Sequence, residues 1–127
     1  MKCEELQIGD WIQNKNGDPM QIIKVGKGFV HTNIIDDDGF SYVFCDEYNQ
    51  PEPIPLTYEI LKKNGWKDAE FWCEYQEGNN SIQACLPDMR GRINGIEIEH
   101  FKCECVHQYQ HLLRLYGLDK LADNLKI

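Results

Sequence analysis

The sequence predicts an α+β protein: an N-terminal SH3-like small β-barrel, followed by a short helix and a three-stranded antiparallel meander packed on a C-terminal helix. Short runs of β-branched and aromatic residues, separated by Gly, Asn and Asp, fill most of the chain and are typical of strands. A helical spacing of apolar residues appears only beyond residue 103. With 127 residues and 42% apolar content, the chain is long enough to bury a core.

The first fifty residues carry the pattern of a small barrel. Turn residues occupy positions 14–18, 26–28 and 36–39. Between them the alternation predicts strands over residues 10–13, 19–25, 29–35 and 40–45. Strands this short are protected from edge-to-edge aggregation when the sheet curls or closes, which favours an SH3-like half-open barrel.

Residues 51–65 are predicted to form a Pro-rich linker and a short helix. Three prolines lie between Asn49 and Leu56 and disfavour helix there, because each one restricts the residue before it. Thr57 is a suitable N-cap, and the pair Asn64-Gly65 is a helix stop, so we expect a helix over residues 58–64.

The third segment, residues 66–127, is predicted to contain the meander and the C-terminal helix. Strands are expected over 70–76, 81–86 and 93–101, with a polar connection over 87–92. Residues 103–116 then follow a 3.6-residue period that places Tyr109 and Leu112 in a core stripe facing the meander. One more helical turn is expected in the tail. The three segments either fold separately or pack as one compact unit.

Charge and composition exclude several classes of protein. The chain has 13 Lys and Arg against 21 Asp and Glu, a net charge of -8, and no basic cluster, so nucleic acid is a disfavoured partner. The acidic balance favours a basic protein partner, or simply solubility. No apolar run approaches the roughly 20 residues that span a bilayer. Because residues 1–7 lack the apolar stretch of a secretion signal, we expect a cytoplasmic protein whose six cysteines are reduced.

Three stretches resemble a known family. They are ELQIGDWI at residues 5–12, EPIPLTYEIL at residues 52–61 with Gly65-Trp66 after it, and VHQYQ at residues 106–110 with Leu112. Together they resemble short uncharacterised proteins found in gut-bacterial genomes and their prophages. The resemblance implies a phage or mobile-element setting and no known enzyme class. The chain departs from that pattern at Tyr58, Tyr109 and His111, where an acidic residue, Leu and Asn are common.

Metal binding is the first chemistry to consider, because Cys103, Cys105, His107 and His111 are all zinc-ligand types. On one helix, however, eight residues at a rise of about 1.5 Å separate Cys103 from His111 by about 12 Å, too far to share one ion. The spacing also differs from that of zinc knuckles. We therefore expect no metal and no cofactor. These four residues are the ligands if a metal is bound.

Two other kinds of site are weaker. A thiol–imidazole nucleophile pair forms only if the fold brings the imidazole of His107 or His31 close to the thiol of Cys105 or Cys45. The sequence does not indicate that it does, so no catalytic residue is predicted. The turn Asp36-Asp37-Asp38-Gly39 does not fit a calcium-binding loop, because aligning its glycine puts Ile34 at the first ligand position. A tight Asp-Gly turn is the expected structure.

The polar side of the C-terminal helix is the candidate contact face. At 100° per residue His107, Gln110, His111 and Arg114 cluster opposite the stripe of Tyr109 and Leu112. We expect this face to point away from the meander, either as a solvated surface or as a contact with the barrel, a second copy or a protein partner.

The sequence thus favours a small cytoplasmic interaction or adaptor module of phage or mobile-element origin. It is more consistent with binding than with catalysis, because no catalytic constellation is present. One alternative is a metal-binding protein or enzyme that uses residues 103–111. A second is nucleic-acid binding through the barrel.

Overall fold

A computed structural model describes the backbone of residues 1–127 and the side chains of all of them except residue 99. The protein is mostly β with a few helices, an α+β fold. It divides into two compact units, Met1–Ile54 and Pro55–Ile127. The boundary falls inside the segment 51–65, so the short helix belongs to the second unit.

The first unit is a curled, half-barrel antiparallel sheet that follows a short 3-10 helix, Cys3–Glu5. Its strand order is β4-β3-β2-β1-β5. The strands are β1 (Trp11–Gln13), β2 (Pro19–Gly26), β3 (Phe29–Ile35), β4 (Ser41–Cys45) and β5 (Glu52–Pro53). The curled sheet encloses a core of seven buried side chains, Cys3, Leu6, Ile12, Met20, Ile22, Val30 and Phe44.

The four strands predicted in this unit are confirmed to within one residue at each end. Strand β5 was not predicted, because it has only two residues and lies in the Pro-rich segment. It pairs with β1 at Ile12 and Gln13. Pro53 is tolerated there because an edge strand does not need every backbone N–H for pairing.

The second unit contains a five-stranded antiparallel sheet in the order β10-β9-β8-β7-β6. Helix α1 (Tyr58–Lys63) precedes it, and helices α2 (Val106–Leu115) and α3 (Asp119–Asp123) follow it. The strands are β6 (Lys67–Asp68), β7 (Cys73–Glu77), β8 (Asn80–Cys85), β9 (Asp88–Ile93) and β10 (Ile96–Lys102).

The predicted three-stranded meander is therefore wrong in its number of strands. Residues 87–92, expected to be a polar connection, form most of β9. The expected strand 93–101 is broken at Asn94 and Gly95, which have φ angles of 52° and 76°. Two residues with positive φ make a type I′ hairpin turn, so the chain reverses there and pairs Ile93 with Ile96.

The helix predictions are confirmed in part. Thr57 is the N-cap of α1, because its Oγ1 accepts a hydrogen bond of 3.2 Å from the Ile60 N–H. Tyr109 and Leu112 are buried, as the helical period predicts. Helix α2 begins at Val106 rather than at residue 103, since Cys105 forms a β-bridge with Pro55 and the Cys103 N–H donates to the Pro87 carbonyl.

Candidate functional site

The predicted contact face on α2 is largely taken up by structural contacts. His107 is 7% exposed and Gln110 is 0% exposed, so of the two alternatives for this face, a solvated surface does not hold for these two side chains. The Gln110 side-chain amide donates to the Ala122 carbonyl at 2.9 Å, because α3 folds back beside α2. His111 and Arg114 are half-buried, and the Arg114 guanidinium pairs with Asp123 at 3.1 Å. The assignment of these four residues to a contact surface stays a prediction.

The structure brings together one thiol–imidazole pair that the sequence left open. Cys105 Sγ lies 3.3 Å from His107 Nδ1, and the His107 ring meets the His111 ring edge-on with centroids 5.6 Å apart. Both members of the pair are buried, whereas a nucleophilic thiol needs access to its substrate. His31 lies in the first unit, with its ring 5.5 Å from that of Phe29.

The segment 103–111 offers little to a metal ion. Burial, with a smaller contribution from Cys105, raises the pKa of the Cys103 thiol to about 12, so the thiol is protonated at neutral pH. A metal ligand must be a thiolate, so this burial works against coordination. Among the side chains that the structure describes, no group of three or more His, Cys, Asp or Glu is placed to hold a metal ion.

Acidic charge is concentrated in the first unit. Residues 1–54 contain ten Asp and Glu against four Lys, while residues 55–127 contain eleven Asp and Glu against nine Lys and Arg. The net charge of -8 therefore comes mainly from the first unit. The electrostatic potential is therefore expected to be more negative around the first unit than around the second.

The β3–β4 hairpin of the first unit exposes large apolar side chains. Ile35 is 64% exposed and Phe40 is 70% exposed, and their neighbours along the hairpin, Ile34 and Tyr42, are also exposed. We call these four residues the hairpin patch. Ile35 pairs with Ser41, so its side chain and that of Phe40 lie on opposite faces, and the patch surrounds the tip of the hairpin. Large apolar side chains exposed together on one hairpin mark an interaction site more often than single scattered residues do.

An acidic turn connects the two strands of the hairpin. The Asp36 carboxylate accepts hydrogen bonds from the N–H groups of Asp38 and Phe40 at 3.0 and 2.9 Å, and Gly39 takes the positive φ angle of 83°. The tight Asp-Gly turn is thus confirmed. The Asp37 and Asp38 carboxylates are exposed and form no ion pair with any described side chain. They add two negative charges beside the hairpin patch.

The outer edge of β4 is partly closed by the chain itself. The Asn49 amide donates to the Val43 carbonyl at 2.9 Å, and the Asn49 Oδ1 accepts from the Cys45 N–H at 3.1 Å. These contacts occupy backbone groups that an added strand would need. A partner of this hairpin would therefore be bound mainly through side chains.

The polar face of the second sheet carries a groove. Two adjoining depressions, of about 240 and 590 Å³, share the side chains of Gln83, Arg90 and His100. Trp72 lines the smaller depression, while Arg92 and Glu97 line the larger one. We call these six residues the arginine groove. The opposite face of the same strands is buried at Ile82, Ala84, Met89 and Ile98.

A β-bulge shapes one wall of the arginine groove. The register of β9 and β10 shifts between Ile98 and Phe101, which places an additional residue of β10 opposite β9. His100 Nε2 lies 2.8 Å from Asp88 Oδ1. The Asp88 Oδ1 atom is buried and has no hydrogen-bond partner in the described structure, so the two side chains are close without an aligned hydrogen bond.

Comparison with known proteins identifies no relative. No protein-family model, curated protein or solved structure matches this chain. Within the part of the chain that the structure describes, no helix is long and apolar enough to cross a membrane. Neither the hairpin patch nor the arginine groove was predicted from the sequence, although the alternation of Arg90 and Arg92 with Met89 and Ile93 is a strand signal.

Proposed function

We propose that the protein is a small interaction module that binds a basic, partly apolar segment of a protein partner through the hairpin patch. The observation that carries this proposal is the exposure of Ile35 and Phe40 beside the acidic turn. The partner chemistry follows from that pairing, because apolar side chains would cover the patch and cationic ones would meet Asp37 and Asp38.

The apolar contribution is large enough to matter. Complete burial of an Ile or Phe side chain contributes about 1.5–3 kcal/mol, and Ile35 and Phe40 still expose roughly two-thirds of their surface. Covering both would offset a substantial part of the ~4–15 kcal/mol that association costs in lost freedom. Ile34 and Tyr42 extend the surface to be covered.

The charge selects the partner. Asp37 and Asp38 lie in a unit with ten acidic and four basic residues, so its potential attracts cations and repels polyanions. This balance supports a basic protein segment over nucleic acid. Screening over about 8 Å at physiological salt leaves the two aspartates effective for a ligand in contact with the turn.

We also propose finer assignments for the two units. The strand order β4-β3-β2-β1-β5, with β1 between β2 and the short β5, supports an SH3-like barrel in the first unit. In the second unit, Trp66 contacts the rings of both Tyr75 on β7 and Tyr109 on α2, with centroids 5.9 and 6.0 Å apart. This bridge supports packing of α2 on the sheet.

A panel of 12-residue peptides with alternating basic and apolar side chains, measured by fluorescence anisotropy on the full-length chain, tests the proposal. The double variant I35S/F40S should weaken binding of the best peptide by at least about tenfold, given the apolar area lost. The variant D37N/D38N should reduce the salt dependence of binding and leave the turn intact, because Asp36 provides the turn hydrogen bonds.

Phe71→Ser is the matched control, because Phe71 is 75% exposed and lies in the second unit. It should bind like the wild type. Equal losses in Phe71→Ser and I35S/F40S, or no loss in I35S/F40S, would refute the proposal. A duplex oligonucleotide that binds more tightly than every peptide would favour the nucleic-acid alternative.

A further inference from the structure

We infer that the arginine groove is a second binding site, which takes an extended acidic segment of a protein partner with carboxylates on alternate residues. It lies in the second unit and differs in charge from the hairpin patch. It therefore goes beyond the function proposed above and does not depend on it.

The two arginines are available to a ligand. Arg90 and Arg92 are exposed, and neither guanidinium forms an ion pair or hydrogen bond with the side chains that the structure describes. Glu97 is the direct cross-strand neighbour of Arg92, yet no ion pair joins them in the described structure. Each guanidinium thus keeps its planar fork of donors for a carboxylate.

The spacing of the arginines defines the shape of the ligand. Arg90 and Arg92 are two residues apart on β9, so they lie on the same face with their Cα atoms about 6.6–6.8 Å apart. An extended peptide repeats its own side chains at the same interval. Two glutamates at positions i and i+2 can therefore each meet one guanidinium.

Neighbouring side chains complete the groove. Gln83 lies directly across from Arg90 in the β8–β9 register and can donate its amide to the ligand backbone or a carboxylate. Trp72 forms a wall, and its indole N–H donates to Glu74 at 3.2 Å, which holds the ring in place. Trp72 lines the smaller depression, which includes Arg90 and not Arg92, so it offers an apolar surface to a ligand residue beyond the carboxylate that meets Arg90.

The charge of the groove argues for a peptide rather than a polyanion. Asp88 lines the smaller depression and Glu97 the larger one, so anionic groups stand beside Arg90 and Arg92. A nucleic acid places phosphates at every nucleotide and would meet these carboxylates as well as the arginines. A peptide can carry acidic residues only where the guanidiniums lie.

Two labelled peptides of equal composition provide the direct test. One alternates Glu and Ser over seven residues, and the other places its four Glu residues at positions 1, 2, 5 and 6, so that no two of them are two residues apart. Fluorescence anisotropy on the full-length chain should show at least about fivefold tighter binding of the alternating peptide, because only its carboxylates match the arginine spacing. The variant R90Q/R92Q should weaken that binding by at least about tenfold, as expected for loss of charge-assisted hydrogen bonds.

Two further variants keep the test informative. Lys120→Gln removes an exposed cation that does not line the groove and should leave binding unchanged. The variant R90K/R92K retains both charges without the planar fork and should bind with intermediate affinity. Circular dichroism checks that each variant is folded. Binding of the basic peptides above should be unaffected by R90Q/R92Q, which separates this site from the hairpin patch.

Three results would overturn the inference. Equal affinity for the alternating peptide and the peptide without Glu pairs two residues apart would exclude recognition of spacing, and unchanged binding in R90Q/R92Q would exclude the groove. A duplex oligonucleotide or millimolar inorganic phosphate could also displace the peptide. If that competitor and the peptide both lost affinity in R90Q/R92Q, the groove would be assigned to phosphate-bearing ligands instead.

Discussion

Removing one buried hydroxyl, in Tyr109→Phe, gives a sharp test of how the second unit is held together. The Trp66 indole N–H donates to the Tyr109 hydroxyl oxygen at 2.9 Å, and both side chains are buried. Their rings also meet edge-on, with an interplanar angle of 68°. This hydrogen bond joins the segment after α1 to the middle of α2.

The expected loss of unfolding free energy comes from the Trp66 N–H, which is left without a hydrogen-bond acceptor. Phenylalanine keeps the ring and most of its packing, so little stability is lost through a cavity. The Trp66 N–H loses its acceptor in a buried position, which costs about 1–3 kcal/mol of unfolding free energy. Trp66→Phe removes the donor, and in the double variant the two changes should be less than additive by about 0.5–1.5 kcal/mol.

Urea unfolding followed by far-UV circular dichroism measures all four members of this cycle. Tyr48→Phe is the control, because Tyr48 is 85% exposed and its hydroxyl is in water, so its change should stay within about 0.5 kcal/mol. If Tyr109→Phe were as stable as this control, the indole–hydroxyl contact would contribute no net stability. The Trp66 bridge would then be a packing contact only.

Four other predictions concern stability and chemistry. Thr57→Ala should cost about 0.5–2 kcal/mol because it removes the acceptor of the Ile60 N–H; an unchanged urea midpoint would contradict the cap. Leu112→Ala should cost about 2–5 kcal/mol through lost burial and a cavity, measured in the same way, and a harmless substitution would show that the side chain does not pack as described. The raised pKa of Cys103, about 12 against 9.0 unfolded, means that the unfolded thiol ionises first; stability should fall as pH rises from 9 to 12, with a shallower fall in Cys103→Ala. All six cysteines are free thiols, so thiol titration under denaturant should count six, and two or fewer would contradict it.

The first unit was the more predictable half of the chain because its signals are local. Strands β1 to β4 alternate apolar and polar residues between clear turns, and such patterns need no knowledge of distant contacts. The N-cap at Thr57 is also predictable from neighbouring residues alone, because its hydrogen bond is to the N–H three residues along the chain. The curl of the sheet follows from strands too short to remain as open edges.

Strand β9 was missed because its sequence resembles a loop. It follows Pro87 and contains Gly91 between two arginines, a composition typical of connections. The structure explains the glycine: its φ angle is 152°, and a Cβ there would lie 2.0 Å from the Ser81 carbonyl oxygen. Close backbone approach, rather than flexibility, requires Gly91 in this strand.

The burial of His107 and Gln110 could not be read from the helical period. The period correctly places them opposite the Tyr109 stripe, but it assumes that only one side of α2 is covered. The acceptor for Gln110 is the carbonyl of Ala122, twelve residues along the chain in α3. A polar side chain can be buried in the core when a backbone group distant in sequence forms a hydrogen bond with it, and the periodicity of the sequence does not indicate such a partner.

The net charge of -8 favours a basic partner or simply solubility, and neither of these indicates a site for an acidic ligand. Charges are screened over about 8 Å at physiological salt, which is shorter than the roughly 11 Å radius of gyration expected for a unit of the second one's size. A ligand therefore responds to the charges it touches, not to the sum over the chain. Asp37 and Asp38 favour a cation at the hairpin patch, while Arg90 and Arg92 favour a carboxylate at the groove. The two proposed sites would therefore take partners of opposite charge, as we expect of the proposed adaptor function.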